Sequence, residues 1–193
     1  VKLGVFGGTF DPVHIGHLSV AVEVRHELAL DRVLLVVANV PWQKADDRRL
    51  TPAEDRFAVA AAAVEGLEGI EASRIEIDRG GESYTVDTLE ALRAEGHELF
   101  LIVGTDVAGS LRTWVRHEHL PGLATLVVVE RPGAADGPDP DPWRVRRVAV
   151  PHLDVSSSDL RSRVADGRPL DVLVPPGALH VIRERGLYAG FSG

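Results

Sequence analysis

The chain contains no cysteine and no methionine. Without cysteine there is no disulfide and no thiolate metal site. That fits a reducing compartment, and a cytoplasmic protein is expected. No run of 18 or more apolar residues occurs, so neither a membrane span nor a membrane partner is expected. The first residues carry one lysine, pass directly into an apolar stretch and a glycine turn, and show no cleavage-site pattern, so no secretory signal is expected. Positive charge is not in excess. Lys and Arg number 21 against 29 Asp and Glu, for a formal net charge of −8. A general nucleic-acid binder carries a basic face, so no nucleic-acid partner is expected. A phosphate-rich small ligand needs only a few well-placed cations and stays open.

Two nucleotide-binding signatures are also missing. No Gly-Lys-Ser/Thr follows the glycine-rich opening, so it is not a Walker loop, and the spacing of the dinucleotide fingerprint is absent. What remains is an ordinary globular composition, 45% apolar and 26% charged over 193 residues, long enough to bury a real core. The abundance of Ala, Val, Arg and Gly reads as genome bias rather than function.

Apolar runs alternate with helical patterns. "KLGVF" (2–6), "RVLLVVA" (32–38), "ELFLIVG" (98–104) and "ATLVVVE" (124–130) read as buried strands. "IEASRIEID" (70–78) alternates like a further strand, and "RVAV" (147–150) is a short one. Helices are expected after residue 14, over "PAEDRFAVAAAAVEGL" with Pro52 at its start, and over "SYTVDTLEALRAEG" with Gly96 past its end. Two short helices follow, "SSSDLRSRVADG" and "PPGALHVIRERG". The segment "RPGAADGPDPDPW" (131–143) reads as a surface loop. This alternation predicts an α/β fold, a doubly wound parallel sheet with helices on both faces, whose ligands bind at the carboxyl ends of the strands. One domain is expected over 1–193, with a Rossmann-like core over 1–150 and a small C-terminal helical part over 151–193.

The opening "GVFGGTFDPVHIGHL" (4–18) sits at that carboxyl edge. Gly7 and Gly8 are expected to take positive φ and bring the backbone close to a ligand. Amides there and at the start of the next helix can face an anion. His14 and His17 are three apart, on one face of a helical turn. Gly16 leaves room beside them. The whole reads as a phosphate cradle with two imidazoles pointed at it. No carboxylate or third histidine stands at ligand spacing, so the pair reads poorly as a metal site.

The combination of strand, Gly-Gly-Thr-Phe-Asp-Pro and His14-Ile15-Gly16-His17 resembles the nucleotidylyltransferase superfamily with its (H/T)xGH element. "VSSSDLR" (155–161) resembles the second signature, a Ser-rich turn leading to Arg161. From the residues alone, Ser156 or Ser157 suits a helix N-cap and Asp159 suits the first turn. Within the superfamily, His14, the "NVPWQK" loop (39–44), "SYTVDTL" (83–89), "TW" (113–114) and "GLY" (186–188) look like bacterial nicotinate-mononucleotide adenylyltransferases of the actinobacterial branch. Trp42 and Gln43 depart from the usual Pro and His of that loop. The resemblance implies transfer of AMP from ATP to nicotinate mononucleotide by direct attack, with Mg²⁺ brought by ATP and no metal site of the protein's own. It implies His14, His17, Lys44 and Arg161 as catalytic residues. Gly7, Gly8, Thr9, Phe10, Gly104, Asp106, Ser156 and Ser158, with His14, His17 and Arg161, would hold ATP. Asn39, Lys44, Tyr84, Thr85 and Trp114 would hold nicotinate mononucleotide, Trp114 by stacking on the ring and Thr85 by the open start of its helix.

Rival readings are another adenylyl- or cytidylyltransferase such as the pantetheine-phosphate enzyme, and a non-catalytic nucleotide-binding protein. The His-x-Gly-His element also occurs in class I aminoacyl-tRNA synthetases, but no Lys-Met-Ser-Lys-Ser loop is present. The sequence leaves the oligomeric state open, a homo-oligomer included.

Overall fold

The computed structural model describes residues 1–41, 50–130 and 141–190. Its elements in chain order are β1 (Lys2–Gly8), α1 (Ile15–Glu27), β2 (Arg32–Val37), β3 (Val40–Pro41), α2 (Ala53–Val64), β4 (Ile70–Ser73), α3 (Ile75–Arg79) and β5 (Glu82–Ser83), then α4 (Thr85–Ala94), β6 (Glu98–Gly104), α5 (Thr105–Ala108), α6 (Leu120–Leu123), β7 (Ala124–Glu130), β8 (Val145–Ala149), α7 (Ser157–Ala165) and α8 (Pro176–Glu184).

Six strands form one sheet in the order β4-β2-β1-β6-β7-β8, parallel at every pairing. The chain builds outward from β1 to β4, then returns past β1 to lay down β6, β7 and β8. The winding therefore reverses between β1 and β6, where Val5 pairs with Leu101. At such a reversal the connections leave in opposite directions and open a crevice beyond the strand ends.

The central strands β2, β6 and β7 are apolar at nearly every position because both faces are covered, whereas the edge strands β4 and β8 carry exposed polar residues. Leu35, Val37, Ile102 and Val127 pack with α1, α2, α7 and α8 through Val24, Val59, Leu160 and Ile182. Leu3, Val36, Leu101 and Val128 pack on the other side with α4 and α6 through Val86, Leu89 and Leu120. Pro52 stands just before α2 with Glu54 and Asp55 in the first turn, where carboxylates suit the helix dipole. Gly96, at φ +87, follows α4. No helix among the described residues is long and apolar enough to cross a membrane.

The sequence reading needs three corrections here. The strand expected over 70–78 ends at Ser73, and α3 follows. Arg74 and Asp78 pair at 2.7 Å one helical turn apart, and Arg74 also reaches Glu54, so helical contacts override the alternating pattern. A second, two-stranded sheet pairs β3 with β5, too short to leave a periodic signal. Finally, Gly7 and Gly8 do not take positive φ. They complete β1, and the left-handed residue is Phe10, at φ +49.

Candidate active site

β1 delivers its last glycines to the reversal, and the chain turns through Thr9–Val13 into α1. A Cβ on Gly8 would lie 2.9 Å from the Phe10 ring, so the turn closes only over a bare Cα. The Phe10 side chain is buried in the core, which leaves any ligand contact to its backbone. The ring supports the histidines instead. It meets His17 edge-on at 5.0 Å, and His17 stacks on His14 at 3.8 Å with the planes 27° apart.

His14 is the N-cap of α1 and His17 the third residue of that helix. The His14 backbone N–H donates to Nδ1 of His17 at 3.2 Å. A ring nitrogen that accepts carries no proton, so Nε2 holds the proton in the neutral ring. Desolvation, and then the neighbouring His14, hold the His17 pKa down to about 3. His17 is thus a neutral hydrogen-bond donor. Gly16 is needed because a Cβ there would lie 3.0 Å from the His14 ring and 3.1 Å from Val155. The room expected at Gly16 is filled by these two side chains.

The serine-rich turn docks on this loop. Ser156 is the N-cap of α7, its Oγ accepting from the Asp159 N–H at 3.1 Å. Ser157 Oγ donates to the Pro12 carbonyl at 2.8 Å, and Arg161 Nη1 donates to the Asp11 carbonyl at 2.6 Å. Arg161 Nη2 also reaches Ser158 Oγ at 3.4 Å. α7, with Ser156, Ser158 and Arg161, is thereby fastened to the turn that leads into His14 and His17. One helix-start amide is not open to a ligand, since Ile15 N–H donates to the Leu173 carbonyl at 3.0 Å.

At the start of the same turn lies a cleft of about 250 Å³. Gly7, Gly8, Thr9, Thr85, Gly104 and Trp114 all line it. The β3–β5 pair forms one rim, with Pro41 and Ser83 at the cleft. Tyr84 is the N-cap of α4, so the helix opens with Thr85 at the cleft. The indole Nε1 of Trp114 is buried and has no hydrogen-bond partner among the described residues.

Asn39, Tyr84 and Asp106, also expected as ligands, stand apart from the cleft lining as well. Asn39 spends its side chain on the Gly81 carbonyl (2.9 Å), and its backbone N–H donates to Ser83 Oγ (2.8 Å). It fastens the rim. The Tyr84 hydroxyl donates to the Glu82 carboxylate. Asp106 is exposed in the first turn of α5, two residues past Gly104. Lys44 lies outside the described residues.

The sequence reading missed several groups. Arg56 is wholly buried and holds four backbone carbonyls. Its signal was present, because 56, 59, 60, 63 and 64 make one buried stripe of α2 and Arg56 takes the first slot. Glu76 and Thr88 also line the cleft, and the Thr88 hydroxyl donates to Glu76 Oε1 at 2.6 Å. No sequence pattern marks that pair.

The arrangement offers imidazole, guanidinium, hydroxyl and amide donors around one turn, with an aromatic cleft beside them. Such a site suits the alignment of two anions better than covalent catalysis.

Comparison with known proteins agrees. Residues 5–163 match the model of the cytidylyltransferase-like family. A protein of Acidothermus cellulolyticus named probable nicotinate-nucleotide adenylyltransferase is 41% identical over 203 residues, spanning 100% of this chain and 96% of that one. One of the same name from Streptomyces coelicolor is 45% identical over 188 residues, spanning 95% and 99%. Among solved structures, Plasmodium falciparum nicotinic acid mononucleotide adenylyltransferase complexed with NaAD shares the fold with a TM-score of 0.77 at 17% identity, covering 97% of each chain. By sheet order, by its two motifs and by these matches, the chain belongs to the cytidylyltransferase-like family.

Proposed function

We propose that this protein is a nicotinate-nucleotide adenylyltransferase, which transfers AMP from ATP to nicotinate mononucleotide and releases pyrophosphate. The observation that carries the reading is the shared cleft. Thr85 at the start of α4 and Trp114 line one cleft with Gly7, Gly8 and Thr9 at the β1/β6 reversal, and the chain runs from there into the histidine pair at the start of α1. The names of the close relatives support the same reaction.

A phosphate oxygen of the mononucleotide attacks the α-phosphorus of ATP, and the bond from that phosphorus to the β-phosphate oxygen breaks. The attacking phosphate is already an anion, so no general base or covalent intermediate is needed. The protein must align two anions and neutralise the charge that builds on the departing pyrophosphate. His17 presents Nε2–H to a phosphate oxygen. His14 acts beside it. Ser156, Ser158 and Arg161 take the β- and γ-phosphates, and Lys44 serves the phosphates with them.

The nicotinate ring lies against Trp114. Its carboxylate meets the first amides of α4, where the helix dipole favours negative charge. Nicotinamide mononucleotide carries no charge there, which gives a physical basis for preferring the acid. Gly104 and Asp106 border the adenosine. Among the described residues no three acid or imidazole side chains gather at one point, and magnesium held by triphosphate oxygens and water does not require such a cage. Mg²⁺ carried by ATP would supply charge neutralisation on the triphosphate.

The test is pyrophosphate release with Mg-ATP and, separately, nicotinate mononucleotide, nicotinamide mononucleotide and pantetheine phosphate. The expected result is release with nicotinate mononucleotide and much less with the others. Release with pantetheine phosphate alone, or with none of the three, overturns the reading.

A further inference from the structure

Arg56 carries its charge at zero exposure. Nε donates to the Thr51 carbonyl at 2.8 Å, Nη1 to the carbonyls of Thr9 (2.8 Å) and Ala38 (2.7 Å), and Nη2 to that of Asn39 (2.9 Å). Burying a cation is costly unless hydrogen bonds replace its water. An apolar side chain of similar size would fill the space without that cost. The guanidinium is distinguished by its rigid planar fork, which holds several acceptors at fixed separations.

The four carbonyls come from three separate segments. Thr9 belongs to the turn between β1 and α1. Ala38 and Asn39 follow β2 and lead into the β3 rim. Thr51 precedes α2. Thr9 and Ala38 both line the cleft, so the guanidinium lies behind its wall and joins the phosphate turn to the rim. Asp11, whose carboxylate accepts the Thr51 N–H at 3.2 Å, favours the charge from the same neighbourhood.

We propose that Arg56 is a positioning residue that sets the separation between the ATP half and the mononucleotide half of the site. This rests on the adenylyltransferase reading, in which Thr9 serves ATP and the rim serves the mononucleotide. In-line attack needs the reacting atoms held to about 3–3.5 Å, and a small change of spacing is felt strongly. Arg56 touches neither substrate and acts through the backbone it holds.

The dinucleotide product spans both halves, whereas each substrate fills one. Arg56→Lys keeps the charge but gathers its donors at one nitrogen, which cannot span the four carbonyls. Calorimetry on wild type and variant would give dissociation constants for a non-hydrolysable ATP analogue, nicotinate mononucleotide and the dinucleotide. Each single ligand should weaken by about three-fold or less, and the dinucleotide by about ten-fold more than those two changes multiplied together. A dinucleotide loss no greater than their product overturns the proposal, since general loosening lowers all three affinities without uncoupling them.

A second measurement needs no variant. In ¹⁵N NMR of the free wild-type protein, the Arg56 Nη protons should be separate and slowly exchanging. An averaged, rapidly exchanging guanidinium overturns the proposal whether or not the variant folds. Wild-type protein that binds neither mononucleotide nor dinucleotide would instead strike the adenylyltransferase reading, and the two failures are thereby told apart.

Discussion

The backbone N–H of His14 donates to Nδ1 of His17, and the two rings stack at 3.8 Å. The first contact fixes which nitrogen of His17 is protonated. The second, with the Phe10 edge, removes water from the ring. Together they make His17 a donor that stays neutral through the physiological range.

The sign of its effect on stability follows. The His17 pKa is lowered from 6.5 to about 3 in the folded chain. Above pH 6.5 both states are neutral and the contribution is complete. As pH falls below 6.5 the unfolded chain takes a proton that the native state refuses, so stability is lost progressively towards pH 3. Urea midpoints measured from pH 8 to pH 4 should fall less steeply for His17→Gln than for wild type. Parallel curves would contradict this, as would an NMR titration of His17 near 6.5.

Trp114→Ala removes the aromatic wall of the cleft and leaves the histidine pair untouched. The KM for nicotinate mononucleotide should rise about ten-fold or more, from lost stacking and lost apolar burial, with the KM for ATP changed little. Steady-state kinetics with each substrate varied in turn decides it. Equal effects on both would place Trp114 outside the nicotinate site.

Ser157→Ala removes the hydrogen bond from α7 to Pro12 but leaves the Ser156 cap and Arg161 in place. One such bond contributes about 1 kcal/mol, so the thermal midpoint should drop by only a few degrees. The KM for ATP should rise several-fold, because the serine-rich turn is held less firmly on the phosphate turn. A KM effect confined to the mononucleotide would assign α7 a different role.

The central strands were legible because they are buried on both faces and therefore read as unbroken apolar runs, Val33–Val37 and Leu99–Val103 most plainly. Helix starts were legible where side chains cap them, as Ser156 does for α7. The two motifs were legible as sequence, and their union was less so. Nothing local announces that Ser157 meets Pro12 or that Arg161 meets Asp11. The turn itself was misjudged. Glycine was expected to supply the left-handed step, but packing against Gly8 and His17 forces it on Phe10. α3 was hidden for a similar reason, since Arg74, Asp78 and Glu54 settle it by charge pairing that alternation cannot reveal. Lys44 lies outside the described residues, and the structure adds nothing to its reading.

The contacts of α7 with the first turn span 145 and 150 positions of the chain. Synthesis runs from the amino end, so the histidine turn leaves the ribosome long before the residues that brace it. Until residue 161 has emerged, the Pro12 and Asp11 carbonyls lack these donors, and the Leu173 carbonyl that caps Ile15 comes later still. The histidine turn is thus made before the residues that fasten it, and the two are joined only once α7 has been made. A chain cut before α7 would lack the brace on its first motif and, with it, Leu160 and Ile182 from the core that α7 and α8 share with one face of the sheet.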